Sequence, residues 1–220
     1  MARDVAGTGG DGDELEAGGG GHGDGVEAEG HPTPPSGDAG AAPALIESDQ
    51  FETPPALFNA LHERYRFVVD LAARKENAKC QTFFGLESSA LRVPWEFDGW
   101  SWCNPPYSRG NLEAFTAKAR RECERWGWRG VLLVPATVGA GWFQKNVLRG
   151  HDVIGGGSSN PASPLLDGYD LRLQGNNYFA TVRFLRRRVG FWKDGKPMPK
   201  NAGAKTDSCL IEWRPSLVRP

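Results

Sequence analysis

The run Trp102-Cys103-Asn104-Pro105-Pro106-Tyr107-Ser108 holds the residues of this chain with the clearest chemical potential. It follows a short apolar stretch that reads as a strand, Trp100–Cys103, so it begins at a strand's carboxyl end. In open α/β sheets ligands bind at that edge. Proline fixes its own φ at about −65° and has no N–H, and the residue before a proline is pushed into an extended conformation. Asn104 and Pro105 both precede a proline, so this backbone is stiff and extended. Its carbonyls become rigid acceptors beside the side-chain oxygen of Asn104. Two fixed acceptors near a flat ring suit a planar amine such as the exocyclic NH2 of adenine. Accepting both N–H hydrogens, at Asn104 Oδ1 and the Pro105 carbonyl, localises a lone pair that is otherwise delocalised into the ring. It also stabilises the positive charge that grows as the nitrogen attacks a sulfonium methyl group, the logic of an oxyanion hole with the sign reversed. Tyr107 is expected to stack on the base. That contact is worth roughly 1–3 kcal/mol, comparable with the few kcal/mol needed to flip a base out of a duplex. Direct displacement at a sulfonium methyl needs no metal and no strong base. The bland alternative is a proline-stiffened loop with Tyr107 covering the core.

The surrounding elements must hold this run in place. Thr53-Pro54-Pro55 reads as a helix start, with Thr53 as N-cap and proline in the first turn. The helix continues to about Tyr65, with Leu57, Phe58, Leu61 and Tyr65 on one face. Residues 66–71 (RFVVDL) read as a buried strand ending in Asp70, and 72–99 as less regular chain. Asn111–Trp126 is an amphipathic helix whose stripe is Leu112, Phe115, Ala119, Cys123 and Trp126, with Arg120, Arg121 and Arg125 on a solvated face. Gly130–Ala136 is a continuous apolar strand. Trp142–Arg149 reads as a further helix, with Trp142 in the core or a pocket wall, and Gly155–Asp170 as a loop. Tyr178–Leu185 and Val189–Trp192 read as a hairpin, and Cys209–Trp213 as the last strand. The expected fold is α/β, a mostly parallel sheet with an antiparallel end.

Composition sets the outer bounds. The 220 residues suit one domain of ordinary size. No apolar run approaches the roughly 18–20 residues of a membrane span, and no signal peptide is legible at the N-terminus. The cysteines, at 80, 103, 123 and 209, form no C-x-x-C pair. They read as reduced thiols in a cytoplasmic protein, with neither zinc nor a disulfide framework. Residues 1–48 hold one basic residue and ten acidic ones, a net charge of −9; residues 49–220 carry +8. Glycine and proline crowd the first 48 residues and large apolar residues are nearly absent, so a disordered acidic tail is expected there, with a single domain over 49–220. Such a tail either solubilises passively or screens the basic body from stray polyanions. Arg172–Lys205 concentrates the positive charge: nine basic residues against one acid, Asp194. Arg183, Arg186, Arg187, Arg188, Lys193 and Lys196 are candidates for holding nucleic-acid phosphates, with Arg186–Arg188 at the expected hairpin turn. A solvated face or a charge-protected edge strand is the competing reading.

From Thr53 to about Trp142 the chain resembles the phage-type DNA N-6-adenine methyltransferase (Dam-like) family. The resemblance rests on Thr53-Pro54-Pro55 with Phe58, Phe67–Ala73, Asn77–Cys80, Trp102–Ser108, and Val131–Ala136 with Trp142-Phe143. It implies a Rossmann-like fold that uses S-adenosylmethionine, acts on adenine N6 in DNA, and belongs to a phage or prophage evading restriction in a bacterial host's cytoplasm. Asn104, Pro105, Pro106 and Tyr107 would be the catalytic block. Thr53, Pro54, Pro55, Phe58, Asp70, Ala72 and Ala73 would line the cofactor pocket. Asp70 also has a local reading, capping a following helix or pairing with Arg74 or Lys75. The chain departs from common patterns in lacking a Gly-x-Gly after its first strand. It also has Ser89 where relatives often carry an acid, with Glu87 the nearest one, and a poorly matching stretch at 150–177. Cytosine N4, an RNA base or a protein glutamine remain alternative substrates, and an inactive nucleic-acid-binding relative a further reading. Recognition sequence, strandedness of the substrate and oligomeric state are not legible.

Overall fold

A computed structural model describes residues 47–85, 88–108, 110–159, 161–199, 202 and 204–216. The expected tail lies outside them except for its last two residues, which open a 3-10 turn, Glu47–Gln50. The first helix, α1 (Pro55–Tyr65), takes Pro54 as its N-cap. Thr53 is not the cap; it is buried one residue earlier. Pro55 sits at the first helical position, where a missing N–H is harmless. Next come β1 (Phe67–Asp70), the two-residue β2 (Thr82–Phe83) and β3 (Trp100–Cys103). Helix α2 spans Asn111–Trp126 and leads to β4 (Gly130–Pro135). A short α3 (Gly141–Phe143) runs on as a π-helical turn, Gln144–Leu148. The chain then forms β5 (Asp152–Ser159), β6 (Gly168–Gln174), β7 (Tyr178–Leu185), a small hairpin β8 (Trp192–Lys193) and β9 (Lys196–Pro197), and β10 (Ser208–Pro215).

Eight strands make one mixed sheet in the order β2-β1-β3-β4-β10-β7-β6-β5. The first four are mutually parallel and the rest join antiparallel. The antiparallel part is therefore half the sheet rather than an end. Residues 155–170 are not simply a loop: β5 and the start of β6 occupy half of them. Three glycines give β5 no side-chain alternation to announce it. The expected pairing of Tyr178–Leu185 with Val189–Trp192 is also replaced. β7 lies between β10 and β6, and Trp192 pairs with Pro197 instead. Asp194 and Gly195 both have positive φ (51° and 72°), the geometry of a tight primed hairpin turn.

Both faces of the sheet are buried where it carries the site. Along β4, Val131 and Leu133 join the cluster under α1, whereas Leu132 and Val134 join the cluster under α2. This period-2 split across two covered faces is why β4 is apolar throughout. On α2 the expected stripe holds at Leu112, Phe115, Ala119 and Cys123, but Trp126 is 67% exposed. The chain turns at Gly127 (φ 70°) and Trp128 fills the core instead, against Trp95, its indole N–H donating to Ser101 Oγ at 2.9 Å. Arg120 is not simply solvated: it donates to the Lys145 and Arg149 carbonyls, tying α2 to the π-helical turn. Trp142 is half-buried against the same core. The four cysteines are free thiols, and burial raises Cys80 and Cys123 to about 12. Among the described residues no helix is long and apolar enough to cross a membrane.

Candidate active site

Parallel β1 and β3 leave the sheet side by side, and their carboxyl ends open into a cleft of about 140 Å³. Leu71, Ala72 and Ala73 form one wall; Phe84, Leu91 and Phe115 extend the apolar lining. Asp49, Arg74, Asn77, Asn104 and Asn111 supply polar groups around it. A smaller cavity of about 20 Å³ shares Phe51, Ala72, Asn77 and Asn104 with this cleft and reaches Thr53 and Asp70. The chain packs closely here: a Cβ on Gly85 would meet the Ala73 carbonyl at 3.2 Å.

Asn104 stands where β3 ends, half-buried and lining both spaces. Its Nδ2 donates to the Phe51 carbonyl at 2.8 Å. Its Oδ1 accepts from the Tyr107 hydroxyl at 2.9 Å, which also lies 3.2 Å from the Leu133 carbonyl. Burial raises the Tyr107 hydroxyl well above its ordinary range, so it stays protonated and donates. The Tyr107 ring meets Phe51 and Phe191 edge-on. Tyr107 thus stands half-buried behind Asn104, packed against both core clusters. Ser108 is tied down as well, its N–H donating to Asp49 Oδ1 at 2.8 Å.

The expected cofactor residues divide. Ala72 and Ala73 line the cleft, and Pro106 lines it beside Asn104. Thr53 and Asp70 line the smaller cavity only. Pro54 caps α1, Pro55 is exposed, and Phe58 packs on Phe67, Trp102 and His62, so these three build the helix and the core rather than the pocket. Among the described residues no helix directly follows Asp70 for it to cap; its oxygens accept the Ala72 and Lys79 N–H groups of the loop after β1 at 3.2 and 3.1 Å. Burial raises its carboxyl to about 6 against the pull of those two N–H groups and of Lys79. Arg74 does not pair with it; Arg74 reaches Glu52 at 3.2 Å. Ser89 Oγ caps the 3-10 turn Ala90–Arg92 by accepting from the Leu91 N–H, while Glu87 lies outside the described residues. Asp49, Phe51 and Glu52 were missed because they precede the first recognisable element. The Asp194-Gly195 dipeptide was the available signal for the hairpin that contacts Glu52.

The basic residues come to the same edge as Asn104. Register places the ends of β3, β4 and β7 and the start of β10 together. The Arg186–Arg188 turn therefore leaves the sheet on that side, though not within a hairpin. Several of its charges are partnered: Arg186 by Asp167 at 2.8 Å and Arg188 by Asp207 at 3.0 Å. Arg183 is half-buried on the sheet and holds Asp170 through two bonds of 2.7 and 2.9 Å, so it is a structural cation rather than a phosphate ligand. Among the described residues no three His, Cys, Asp or Glu side chains gather to hold a metal.

Residues 44–155 match the DNA N-6-adenine-methyltransferase (Dam) family. The chain belongs to that family. The matched stretch runs from the turn before α1 into β5, so it contains the cleft and Asn104 and leaves β6–β10 and the Arg186–Arg188 turn outside. Over 107 residues the chain is 34% identical to the DNA N-6-adenine-methyltransferase of Escherichia phage T1, covering 48% of this chain and 44% of that protein. Over 65 residues it is 35% identical to the putative methyltransferase YfdM of Escherichia coli K12, covering 27% of this chain and 71% of that one. The match thus spans less than half the length of the phage T1 relative.

Proposed function

We propose that the protein transfers a methyl group from S-adenosylmethionine to the exocyclic N6 of adenine in DNA. The observation that carries this reading is the placement of Asn104: a pre-proline carboxamide at a strand end, lining the cleft, with its flip state fixed by the Phe51 carbonyl. Oδ1 has a second lone pair besides the one facing Tyr107. That lone pair and the Pro105 carbonyl accept the two amine protons and stabilise the charge growing on nitrogen.

The donor set fits the cofactor's two ends. An apolar trough of Ala72, Ala73, Phe84 and Leu91 suits a nucleoside, and Arg74, Asp49 and Asn77 suit a zwitterionic amino-acid end. When bound, S-adenosylmethionine supplies a sulfonium-activated methyl group. The chain's own residues orient the amine, exclude water from the trough and leave the departing proton a path to solvent. Arg186, Arg187, Arg188, Lys193 and Lys196 are the proposed phosphate contacts, supported by the shared sheet edge and by the hairpin's contact with Glu52. The phage T1 relative supports a phage or prophage setting, in which methylation would protect DNA from host restriction.

The test is incubation with labelled S-adenosylmethionine and unmethylated DNA, digestion to nucleosides, and identification of the modified base. N6-methyladenine is expected; label on cytosine, on RNA alone or on protein would overturn the substrate assignment. Asn104→Ala should lower transfer by at least about 100-fold while calorimetry shows cofactor binding within threefold of wild type. Near-normal transfer by that variant would remove Asn104 from the reaction.

A further inference from the structure

The segment Phe51–Glu52 is held on every side. The Glu52 backbone pairs with Trp192 in both directions, N–H to carbonyl at 2.8 Å and carbonyl from N–H at 3.0 Å. Its side chain is only 7% exposed, yet it carries a charge. One carboxylate oxygen takes the Arg74 guanidinium at 3.2 Å; the other takes the Gly195 N–H at 3.2 Å. Glu52 therefore ties three elements together: the segment before α1, the loop after β1 that lines the cleft, and the turn of the β8–β9 hairpin. Removing one partner of a buried, hydrogen-bonded charge leaves the other uncompensated. This carboxylate therefore fixes where its neighbour's main chain lies.

That neighbour is Phe51, whose carbonyl accepts from Asn104 Nδ2. A carbonyl oxygen can only accept, so it admits the NH2 end of the carboxamide and rejects the oxygen end. The Phe51 carbonyl thereby decides which way Asn104 faces. The Phe51 ring adds a second restraint, stacked on buried Phe191 at 5.2 Å, one residue before the hairpin.

We infer that Glu52 is a positioning residue for methyl transfer: it locks the Phe51 carbonyl against Asn104 and keeps Oδ1 turned toward the amine. The kinetic part of this inference rests on the function proposed above. Glu52 acts through the backbone of Phe51. Anchoring to the hairpin also places the orientation of Asn104 downstream of β8–β9.

Two measurements on the full chain test it. In Glu52→Ala, kcat should fall at least tenfold at saturating DNA and S-adenosylmethionine. In the protein without substrate, the Asn104 side-chain NH2 resonances should shift and exchange with solvent at least tenfold faster. Glu76→Gln, an exposed carboxylate in the outer cleft beside Arg74, is the control and should leave those resonances in place. If Glu52→Ala does not fold, Glu52→Gln takes its place, with at least a threefold loss in kcat and the same displacement of the Asn104 resonances. A folded variant with unmoved Asn104 resonances overturns the inference, as does a loss confined to KM. The resonance measurement needs no turnover. Failure of the wild-type enzyme to methylate adenine would therefore sink the functional reading separately.

Discussion

Asp70 shows how burial sets a residue's behaviour. Its carboxyl titrates at about 6 in the folded chain, against an ordinary 3.8. Between those values the folded protein holds more protons than the unfolded one, so stability falls as pH rises from about 4 to about 6. The shift corresponds to roughly 3 kcal/mol. Chemical denaturation across that range should show the decline in the wild type and a flatter profile in Asp70→Asn. A wild-type profile that rises instead would mean that the two N–H groups outweigh desolvation. The same residue illustrates what sequence could tell. A strand-end aspartate was legible but its partners were not; only the loop's return brings the Lys79 N–H within 3.1 Å. Tyr107 is parallel. An aromatic beside Asn104 was legible, but its direction depends on Leu133 and Phe191, which lie 26 and 84 positions away in the chain.

Among the elements, α2 carries the least expected feature. Lys118 and Glu122 are both buried, 7% and 5% exposed, and joined at 2.6 Å. Glu122 also accepts the Trp95 N–H at 3.3 Å, and Lys118 lies 5.3 Å from the Trp95 ring. In sequence they look like an ordinary solvated i,i+4 pair. They are buried because the irregular segment 88–99 lays Trp95 over that face, an event no helical periodicity records. Glu122→Ala leaves an uncompensated ammonium and an unpaired N–H, and should destabilise by about 3–5 kcal/mol, read from denaturant midpoints. Lys118→Met should cost a comparable amount, because it leaves the Glu122 carboxylate buried with only the Trp95 N–H. The double variant Lys118→Met with Glu122→Leu should cost less than the sum of the two single losses; simple additivity would point to general packing instead. The regular elements β3, α2, β4 and β7 were legible because both burial and period were strong in a short window. β5 was not, because Gly155–Gly157 offer no side chains to alternate.

Over the whole molecule, charge counted along the chain differs from charge in space. The segment 172–205 carries nine basic residues and one acid, yet Asp167, Asp170 and Asp207 lie just outside it and fold back on Arg186, Arg183 and Arg188. The proposed DNA face is correspondingly weaker than the sequence count. Replacing Arg186, Arg187 and Arg188 together by alanine should weaken DNA binding. It should also flatten the slope of log K against log salt by roughly 1–3, the lower figure applying if the aspartates keep their partners. Binding isotherms from low to moderate salt measure this; an unchanged slope would take the turn out of the interface.

By itself the sequence determined what depends on neighbours in the chain: the proline-stiffened block at Asn104, the strong strands and helices, the family, and the charge asymmetry. These are local patterns, and covalent geometry and short-range periodicity suffice to write them. Tertiary structure alone decided which groups face one another. It turned Tyr107 behind Asn104, moved Phe58 into the core, gave Asp70 the Ala72 and Lys79 N–H groups and brought Glu52 between Arg74 and Gly195. Those contacts join residues that the chain holds far apart, so their energies appear only once the sheet and its loops have closed.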